Sequence, residues 1–296
     1  MKIIDTTTYF EEKLMMSLRF NILNLYVDNF IVCEARFTHS GKKKDISFKK
    51  TDFPEFEHKI THLIIDKEPI DIIKKNKLDS YDLRLNSIAR IRAQRDYIAK
   101  SLQTYSPEDY IIYSDNDEIP NLEFFDFNKN KNKMIIFKQK LFYYKFNLLM
   151  PNVDWYGSKA CKIKDLKSID LLRSTKNKKY KFFRIDTLFS NLKYCNINIV
   201  NEGGWHFSNL KNIKELERKY LNDENHAEYE AMGYSIDKIK NNLKNKTVDY
   251  DHSAKKNSTT RFNSSKLESI DMSKLPEFIQ LNKNKYIDWL DLSGVN

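Results

Sequence analysis

Residues 110–121 read YIIYSDNDEIPN, in which an apolar run suited to a β-strand leads into acidic and amide side chains and then a proline. This acidity is unexpected in a chain with 51 lysines and arginines, 41 acidic residues and a formal net charge of +10. In open parallel sheets, ligands bind at the carboxyl ends of the strands. The stretch therefore predicts a functional loop at the end of a buried strand.

Asp115 and Asp117 stand two positions apart just beyond that strand. In extended geometry, side chains two apart share a side, so both carboxylates can converge on one Mg²⁺ or Mn²⁺ while Asn116 faces away. A cation held by one or two carboxylates keeps open positions that a diphosphate can fill. An alternative stays open here, in which the same residues form an Asx turn and cap a helix that starts near Asn121.

The flanking segments alternate between strand and helix patterns. Strands are predicted at residues 2–6, 27–35, 59–66 and 109–114, and helices at 9–25 and 82–103. Apolar strands separated by helices predict an α/β fold with a mostly parallel central sheet that is covered on both faces. In the second helix, the spacing predicts a buried face formed by Leu85, Ile88, Ile91, Ile98 and Leu102.

The second half of the chain is predicted to extend this sheet and then to become helical. Further strands are expected at residues 133–139, 141–147 and 153–161, and helices between 210 and about 244. The polar segment 245–275 is either a mobile lid or a linker. We predict one domain over residues 1–265 and a C-terminal helical tail over 266–296, because residues 275–290 form an amphipathic pattern that can pack back on the body.

The composition excludes several classes of protein. Hydrophobic residues make up 41% and aromatic residues 13%, which is typical of a globular fold. No window approaches the roughly 18 apolar residues of a membrane helix, and no signal peptide precedes the first strand, so we expect a cytoplasmic protein. Three cysteines without CxxC spacing argue against disulfides or a structural zinc site.

The excess of lysine and arginine favours an anionic partner, which is a nucleic acid, a membrane surface or a phosphorylated small molecule. The basic residues are spread along the chain and no nucleic-acid-binding module is evident, so we expect no nucleic acid partner. A peripheral contact with the inner face of a membrane stays open. The oligomeric state is not encoded in any of these patterns.

Several segments together resemble one known family, glycosyltransferase family 17, which contains the β-1,4-mannosyl-glycoprotein β-1,4-N-acetylglucosaminyltransferases and microbial relatives. The resemblance covers nearly the whole chain and rests on the combination of motifs. They are DTTTYF and LMMSLRFNIL within 5–23, DNFIVCEARFTHSGKKKDISF (28–48), QRD (94–96), DYIIYSDNDEIP (109–120), GGWHFS (203–208), and LPEFI and KYIDWL within 275–290.

The resemblance implies a Rossmann-like catalytic domain of the GT-A type, a UDP-sugar donor, most simply UDP-GlcNAc, and transfer with inversion to a glycan hydroxyl. Asp115 and Asp117 match the DxD motif of the family, which implies that they bind Mn²⁺ or Mg²⁺ and the diphosphate. Glu34 and Arg19 lie where they could meet the uridine. Unlike the animal enzymes, this sequence shows no membrane anchor, which favours a microbial surface or lipid-linked glycan as the acceptor.

Inverting transfer places two demands on the side chains around the donor. The leaving diphosphate gains negative charge, which the metal and nearby cations must offset. Arg95 is a candidate for this role, although a surface salt bridge with Asp96 or Glu108 explains it equally well. Lys255, Lys256 and Arg261 in the polar segment are candidate lid contacts, and ordinary surface positions explain each of them as well.

The second demand is a base that removes the proton of the acceptor hydroxyl. Glu202 and Asp154 are the carboxylates that we predict for it. In GGWHFS, His206 could be a third metal ligand or contact a phosphate, and Trp205 could offer a flat face to a sugar ring or the base. The structural alternatives are a hydrogen-bonded histidine and a core aromatic residue. The two preceding glycines would let the backbone approach a ligand closely.

Two other functions remain open at this point. A nucleotidyltransferase or sugar-nucleotide hydrolase also uses paired aspartates, but the sugar-activating nucleotidyltransferases usually carry a glycine-rich signature near the N-terminus, and residues 1–40 contain no glycine. A noncatalytic basic protein that binds anionic polymers is the third hypothesis.

Overall fold

Four apolar strands form a parallel sheet in the spatial order Ile60–Ile65, Asn29–Ala35, Ile3–Tyr9 and Tyr110–Ser114, and the sequence predicts each of these four strands. The structure is a computed structural model that describes residues 1–224, 226–231, 235–249 and 265–293. The strands are β1 (Ile3–Tyr9), β2 (Asn29–Ala35), β3 (Ile60–Ile65), β4 (Tyr110–Ser114), β5 (Glu118–Pro120), β6 (Met134–Tyr143), β7 (Leu148–Lys162), β8 (Ile197–Val200), β9 (Gly204–Ser208), β10 (Thr247–Val248), β11 (Ser265–Lys266) and β12 (Glu268–Ser269).

Beyond β4 the sheet becomes mixed, so the fold is α/β but less parallel than predicted. Strand β7 is antiparallel to both β4 and β6, β9 runs parallel to β6, and the short β5 closes this side antiparallel to β9. Strand β8 adds to β6, and β12 adds to β7. The segments predicted as separate strands at 133–139 and 141–147 form one strand, β6, which accommodates the change of register through irregular pairing with β7.

The helices are α1 (Lys13–Leu23), α2 (Ser80–Tyr97), α3 (Ile169–Ser174), α4 (Ile213–Tyr220), α5 (His226–Ala231), α6 (Ile236–Asn245) and α7 (Glu277–Leu281). Helix α2 begins with a capping box in which the side chains of Asp79 and Asp82 bond each other's backbone N–H groups. In the described ranges, no helix combines the length and the apolar content that crossing a membrane requires.

The predicted buried face is right only at its C-terminal end, where Ile98 and Leu102 are buried in the 3₁₀ segment Ile98–Thr104 that follows α2. Leu85, Ile88 and Ile91 stay half-exposed, and the side chains that the helix buries are mostly polar, among them Arg90 and Gln94. The reason is visible in the contacts of Gln94, whose amide donates to the backbone carbonyls of the first two strands. Helix α2 therefore contacts the sheet through polar side chains, which bind backbone carbonyls of the strands.

The C-terminal residues complete the main core. Leu275, Ile279, Tyr286 and Leu290 are buried in the same apolar cluster as residues of α1 and of the first strands. The predicted amphipathic helix is shorter than expected, since α7 ends at Leu281 and a 3₁₀ segment follows over Lys283–Trp289. The division into residues 1–265 and 266–296 stays a prediction.

Candidate active site

The acidic residues after β4 form a tight turn between two strands. The backbone N–H of Glu118 donates to the carbonyl of Asp115 at 3.0 Å, and the Glu118 carboxylate accepts from the backbone N–H of Asp115 at 3.1 Å. The chain then enters β5 rather than a helix, so the alternative of a helix cap near Asn121 is wrong. The side chains of Asp115 and Asp117 keep 23% and 15% of their surface exposed, so a ligand can reach both.

Asp115 lies between two arginines. One carboxylate oxygen accepts from Arg95 Nη2 at 3.1 Å and from the hydroxyl of Tyr113 at 3.0 Å, and the other accepts from Arg173 Nε at 2.8 Å. Burial raises the pKa of Asp115, but the two guanidinium groups outweigh burial and lower it well below its usual range. Arg95 also binds Asp170 at 2.9 Å, so its partners are not the Asp96 or Glu108 that the sequence suggested.

Asp117 faces a histidine and a lysine. Its Oδ1 lies 3.2 Å from Nε2 of His206, and its Oδ2 lies 3.7 Å from Nζ of Lys219. Burial raises the pKa of Asp117, but His206 and Lys219 lower it to about 2. For His206, burial lowers the pKa, but the adjacent carboxylate of Asp117 outweighs burial, and the pKa of His206 is raised above its usual value. The pair forms because His206 stands opposite Glu118 in the β5–β9 ladder.

The residues that support this turn from the interior gave little or no signal in the sequence. Glu118 is fully buried and accepts a 2.7 Å hydrogen bond from Nε1 of Trp155, whose ring lies 4.5 Å from the ring of His206. Burial and the charge of Asp115 raise the pKa of Glu118. The signal for Trp155 was its place in a predicted strand beside the pocket, whereas Arg173 and Lys219 carried no recognisable signal.

A second group of charges adjoins the turn at the carboxyl end of β1. Lys219 donates to Asn209 at 2.9 Å, and Nζ of Lys211 lies 3.2 Å from a carboxylate oxygen of Glu12. The lysines lower the pKa of Glu12 against the effect of burial. Cations from three helical regions therefore converge at this edge of the sheet.

Glu202, Asp154 and Trp205 lie on the opposite face of the sheet from His206. Side chains alternate along a strand, so Trp205 and His206 on β9 point to different faces. Trp205 pairs with Lys140, which itself pairs with Asp154, and these side chains share the second face. The role of Glu202 and Asp154 as general bases remains a prediction, and their place on the opposite face of the sheet from His206 does not support it.

The second face has contacts of its own. Asp154 binds Lys138 at 2.8 Å and Glu202 binds Lys140 at 2.9 Å. The indole N–H of Trp205 donates to the carbonyl of Lys274 at 3.0 Å. Trp205 and Glu202 line a cavity of about 480 Å³ on that face. The role of Trp205 as a platform for the donor thus stays a prediction, and its cavity lies away from Asp117.

Arg19 and Glu34 are fully buried, and the structure gives both of them contacts inside the protein. Arg19 binds Asp5 through two hydrogen bonds and donates to the carbonyl of Glu118 at 2.6 Å, which supports the acidic turn from within. Glu34 accepts hydrogen bonds from Lys44 and from two backbone N–H groups in the loop that follows β2. Their predicted contacts with uridine remain predictions.

The glycines of GGWHFS let protein backbone, rather than a ligand, come close. Gly204 has a φ of +123°, and a Cβ atom there would lie 2.2 Å from the carbonyl oxygen of Ile119. The carbonyl of Gly203 accepts from the N–H of Asn121 at 2.9 Å. The pair of glycines is therefore required for β9 to reach β5, which in turn places His206 beside Asp117.

The donor set for a metal ion is small. Across the described ranges, no three His, Cys, Asp or Glu side chains are grouped so that they could hold a metal. Asp117 and His206 are close enough to share one ion; a carboxylate suits Mn²⁺ or Mg²⁺ and a neutral imidazole is a common metal ligand, so these two fit the implied cation. Both oxygens of Asp115 already accept from arginines. The lid candidates Lys255, Lys256 and Arg261 lie outside the described residues.

Comparisons with known proteins bear on the same residues. A family model described as glycosyltransferase family 17 matches residues 1–229. The β-1,4-mannosyl-glycoprotein 4-β-N-acetylglucosaminyltransferases of Homo sapiens and Rattus norvegicus are each 26% identical over 123 residues, which is 40% of this chain and 22% of each relative. The chain thus spans about a fifth of the length of these relatives.

Among solved structures, HddC from Yersinia pseudotuberculosis complexed with GMP-PN covers 68% of this chain and 91% of its own, with 8% identity and a TM-score of 0.30. A score this low supports no conclusion about either fold or function.

Proposed function

The chain belongs to glycosyltransferase family 17, an N-acetylglucosaminyltransferase family, and from this premise we propose that it transfers GlcNAc from UDP-GlcNAc, with inversion, to a hydroxyl of a microbial surface or lipid-linked glycan. We assign the reaction to a GT-A type domain over residues 1–265. The observation that carries the proposal beyond the family is the turn after β4, where two aspartates lie within ion-pair distance of three cations and one histidine.

The positively charged side chains around this turn are suited to binding a diphosphate leaving group. Arg95, Arg173 and Lys219 come from three different helical regions and point at the same pair of carboxylates. A diphosphate that enters here can share the guanidinium groups with Asp115, since each arginine presents several N–H donors in a planar fork. These side chains would then offset the negative charge that develops on UDP as the bond to the sugar breaks.

Asp117 and His206 are the residues that would hold the Mn²⁺ or Mg²⁺ ion. When bound, such an ion supplies Lewis-acid stabilisation of the departing diphosphate. Because only these two side chains would hold the ion, it could also bind the diphosphate of the donor. Trp155 and Glu118 keep the histidine ring and the turn in place, because the ring of Trp155 packs on His206 while its N–H binds Glu118.

A thermal-shift panel with UDP, GDP, CMP and ATP, each with and without Mn²⁺, tests the proposal. Stabilisation by UDP that requires Mn²⁺ is expected, and a ligand present at 100 times its Kd adds about 2.7 kcal/mol to the free energy of unfolding. Stabilisation by nucleoside triphosphates instead indicates a nucleotidyltransferase. Mass spectrometry of the products formed from UDP-GlcNAc and extracted microbial glycans then identifies the acceptor.

A further inference from the structure

A loop outside the candidate active site exposes an unusual amount of apolar surface. Within residues 182–189, five large apolar side chains are between 63% and 90% exposed; they are Phe182, Phe183, Ile185, Leu188 and Phe189. Single exposed apolar residues are normal on a protein surface, but a contiguous group of this size marks an interaction site.

The same loop is strongly basic. Residues 176–194, which we call the aromatic-basic loop, contain six lysines and arginines and a single acid, Asp186. Asp186 is neutralised locally, because it lies 2.8 Å from both Arg184 and Lys193. Lysines 176, 178, 179 and 181 are exposed. The loop therefore presents a net positive charge around its apolar side chains.

The aromatic-basic loop projects from a fixed base. The N–H of Lys176 donates to the carbonyl of Leu192 at 2.8 Å, and the N–H of Tyr180 donates to the carbonyl of Tyr194 at 3.3 Å. A 3₁₀ turn over Ile185–Thr187 shapes the part between these bonds. The pinned base holds the tip, with its phenylalanines, away from the core.

We propose that the aromatic-basic loop docks the protein on an anionic membrane surface. Aromatic and aliphatic side chains at the tip enter the boundary between headgroups and acyl chains, while lysines and arginines bind the acidic headgroups. Charge complementarity favours this partner, since the loop carries six cations against one acid. A nucleic acid would match the charge but would leave Ile185 and Leu188 without a partner.

The first residue of the loop lies near the candidate active site. Lys176 follows Arg173 by three residues, so the two Cα atoms lie within about 11 Å of each other. Arg173 in turn binds Asp115 at 2.8 Å. Docking through this loop thus tethers the protein to the lipid surface, which carries any lipid-borne acceptor, by a segment whose first residue lies near the turn after β4. This last step rests on the proposed function, whereas membrane binding does not.

Co-sedimentation of the full chain with vesicles tests the proposal. We expect binding to phosphatidylglycerol vesicles at 0.1 M salt, no measurable binding to phosphatidylcholine vesicles, and weaker binding at 0.5 M salt, because headgroup attraction is screened. Phe182→Ser/Phe189→Ser removes apolar contacts and keeps the charge of the loop. Lys178→Glu/Lys179→Glu keeps the apolar side chains and replaces two positive charges by negative ones. Each double variant is expected to bind at least about tenfold more weakly.

Matched controls use exposed residues elsewhere on the surface. Phe124→Ser removes a phenylalanine that is 86% exposed, and Lys74→Glu/Lys77→Glu makes an equal change in charge. Both should bind like the unmodified chain. Equal binding to the two lipids, no binding at all, or binding that the loop variants leave unchanged would overturn the proposal. A dimer in lipid-free buffer that Phe182→Ser/Phe189→Ser dissociates would also overturn it, because a second copy would then be the partner.

Discussion

Nε2 of His206 lies 3.2 Å from Oδ1 of Asp117, while both oxygens of the neighbouring Asp115 bind arginines. The two aspartates are thus not equivalent. Asp117 has a neighbour that can share a metal ion, whereas Asp115 holds the side chains of Arg95 and Arg173 in place. Different consequences follow for the two positions when either carboxylate is replaced by an amide.

Asp117→Asn should abolish most of the transfer activity and keep the fold. The amide is nearly isosteric, but it lacks the charge that a divalent cation requires. We expect the transfer rate from UDP-GlcNAc to fall by about 10²–10³, a range typical for the loss of one electrostatic contact to a transition state. The measurement is UDP release at saturating Mn²⁺, with circular dichroism as the check of folding.

Asp154→Asn and Glu202→Gln are the matched controls for this loss. Both carboxylates bind lysines on the opposite face of the sheet, so the amides should leave the rate within about threefold of the unmodified enzyme. A large loss in either variant would instead support its predicted role as the general base. Retained activity in Asp117→Asn would refute the metal assignment.

Asp115→Asn should act mainly on stability. Without the carboxylate, the guanidinium groups of Arg95 and Arg173 repel each other in a site where their exposure is only 18% and 24%. Loss of one partner from a buried ion pair costs about 3–5 kcal/mol. Urea unfolding should show this decrease, and a change of less than 0.5 kcal/mol would contradict it.

The strands of the parallel half could be predicted because each is an apolar run between polar segments. The polar buried face of α2 could not be predicted, because its partners include backbone carbonyls of the first strands, such as that of Cys33, which accepts from Gln94. Hydrophobic periodicity gives no information about such contacts. The same limit explains why β6 was divided in two, since irregular pairing with β7 interrupts its alternation.

In the candidate site, too, sequence predicts what is local and gives no information about contacts between distant segments. Asp115 and Asp117 are close in sequence, so spacing alone could bring them together. Arg173 lies 58 residues from Asp115 and approaches it through α3, and Trp155 reaches Glu118 from β7. No local pattern encodes these contacts. His206 was selected through its family motif, and its position beside Asp117 depends on the pairing of β5 with β9.

Gly204→Ala should disrupt the pairing of β5 with β9. The residue has a left-handed φ of +123°, and a Cβ atom would lie 2.2 Å from the backbone oxygen of Ile119. We expect a loss of about 3 kcal/mol or more in the free energy of unfolding, together with lower activity, since His206 moves with β9.

Gly41→Ala is the control for this backbone effect. Gly41 also has a positive φ of +91°, but the atoms nearest to its added Cβ belong to the guanidinium group of the Arg90 side chain and not to backbone. A loss of about 1 kcal/mol is expected there. Equal losses in both variants, measured by urea unfolding, would show that φ strain alone explains the effect and that contact with β5 does not matter.

Glu34→Gln should lower stability in a way that depends on pH. Burial raises the pKa of Glu34, but contacts with His62 and Lys44 and two backbone hydrogen bonds lower it to about 2 from an ordinary 4.5. Because the folded-state pKa is the lower one, the carboxylate contributes stability above pH 4.5 and loses it as the pH falls toward 2. The shift corresponds to about 3 kcal/mol at pH 7.

The difference in unfolding free energy between the unmodified chain and Glu34→Gln should therefore fall to less than half at pH 3. The exposed Glu55→Gln is the control and should show no such difference. If Glu34 instead meets the uridine, the variant will raise the KM for UDP-GlcNAc and leave stability unchanged at every pH. That outcome would restore the role that the sequence suggested, and it would require the loop after β2 to open, because Glu34 has no exposed surface in this structure.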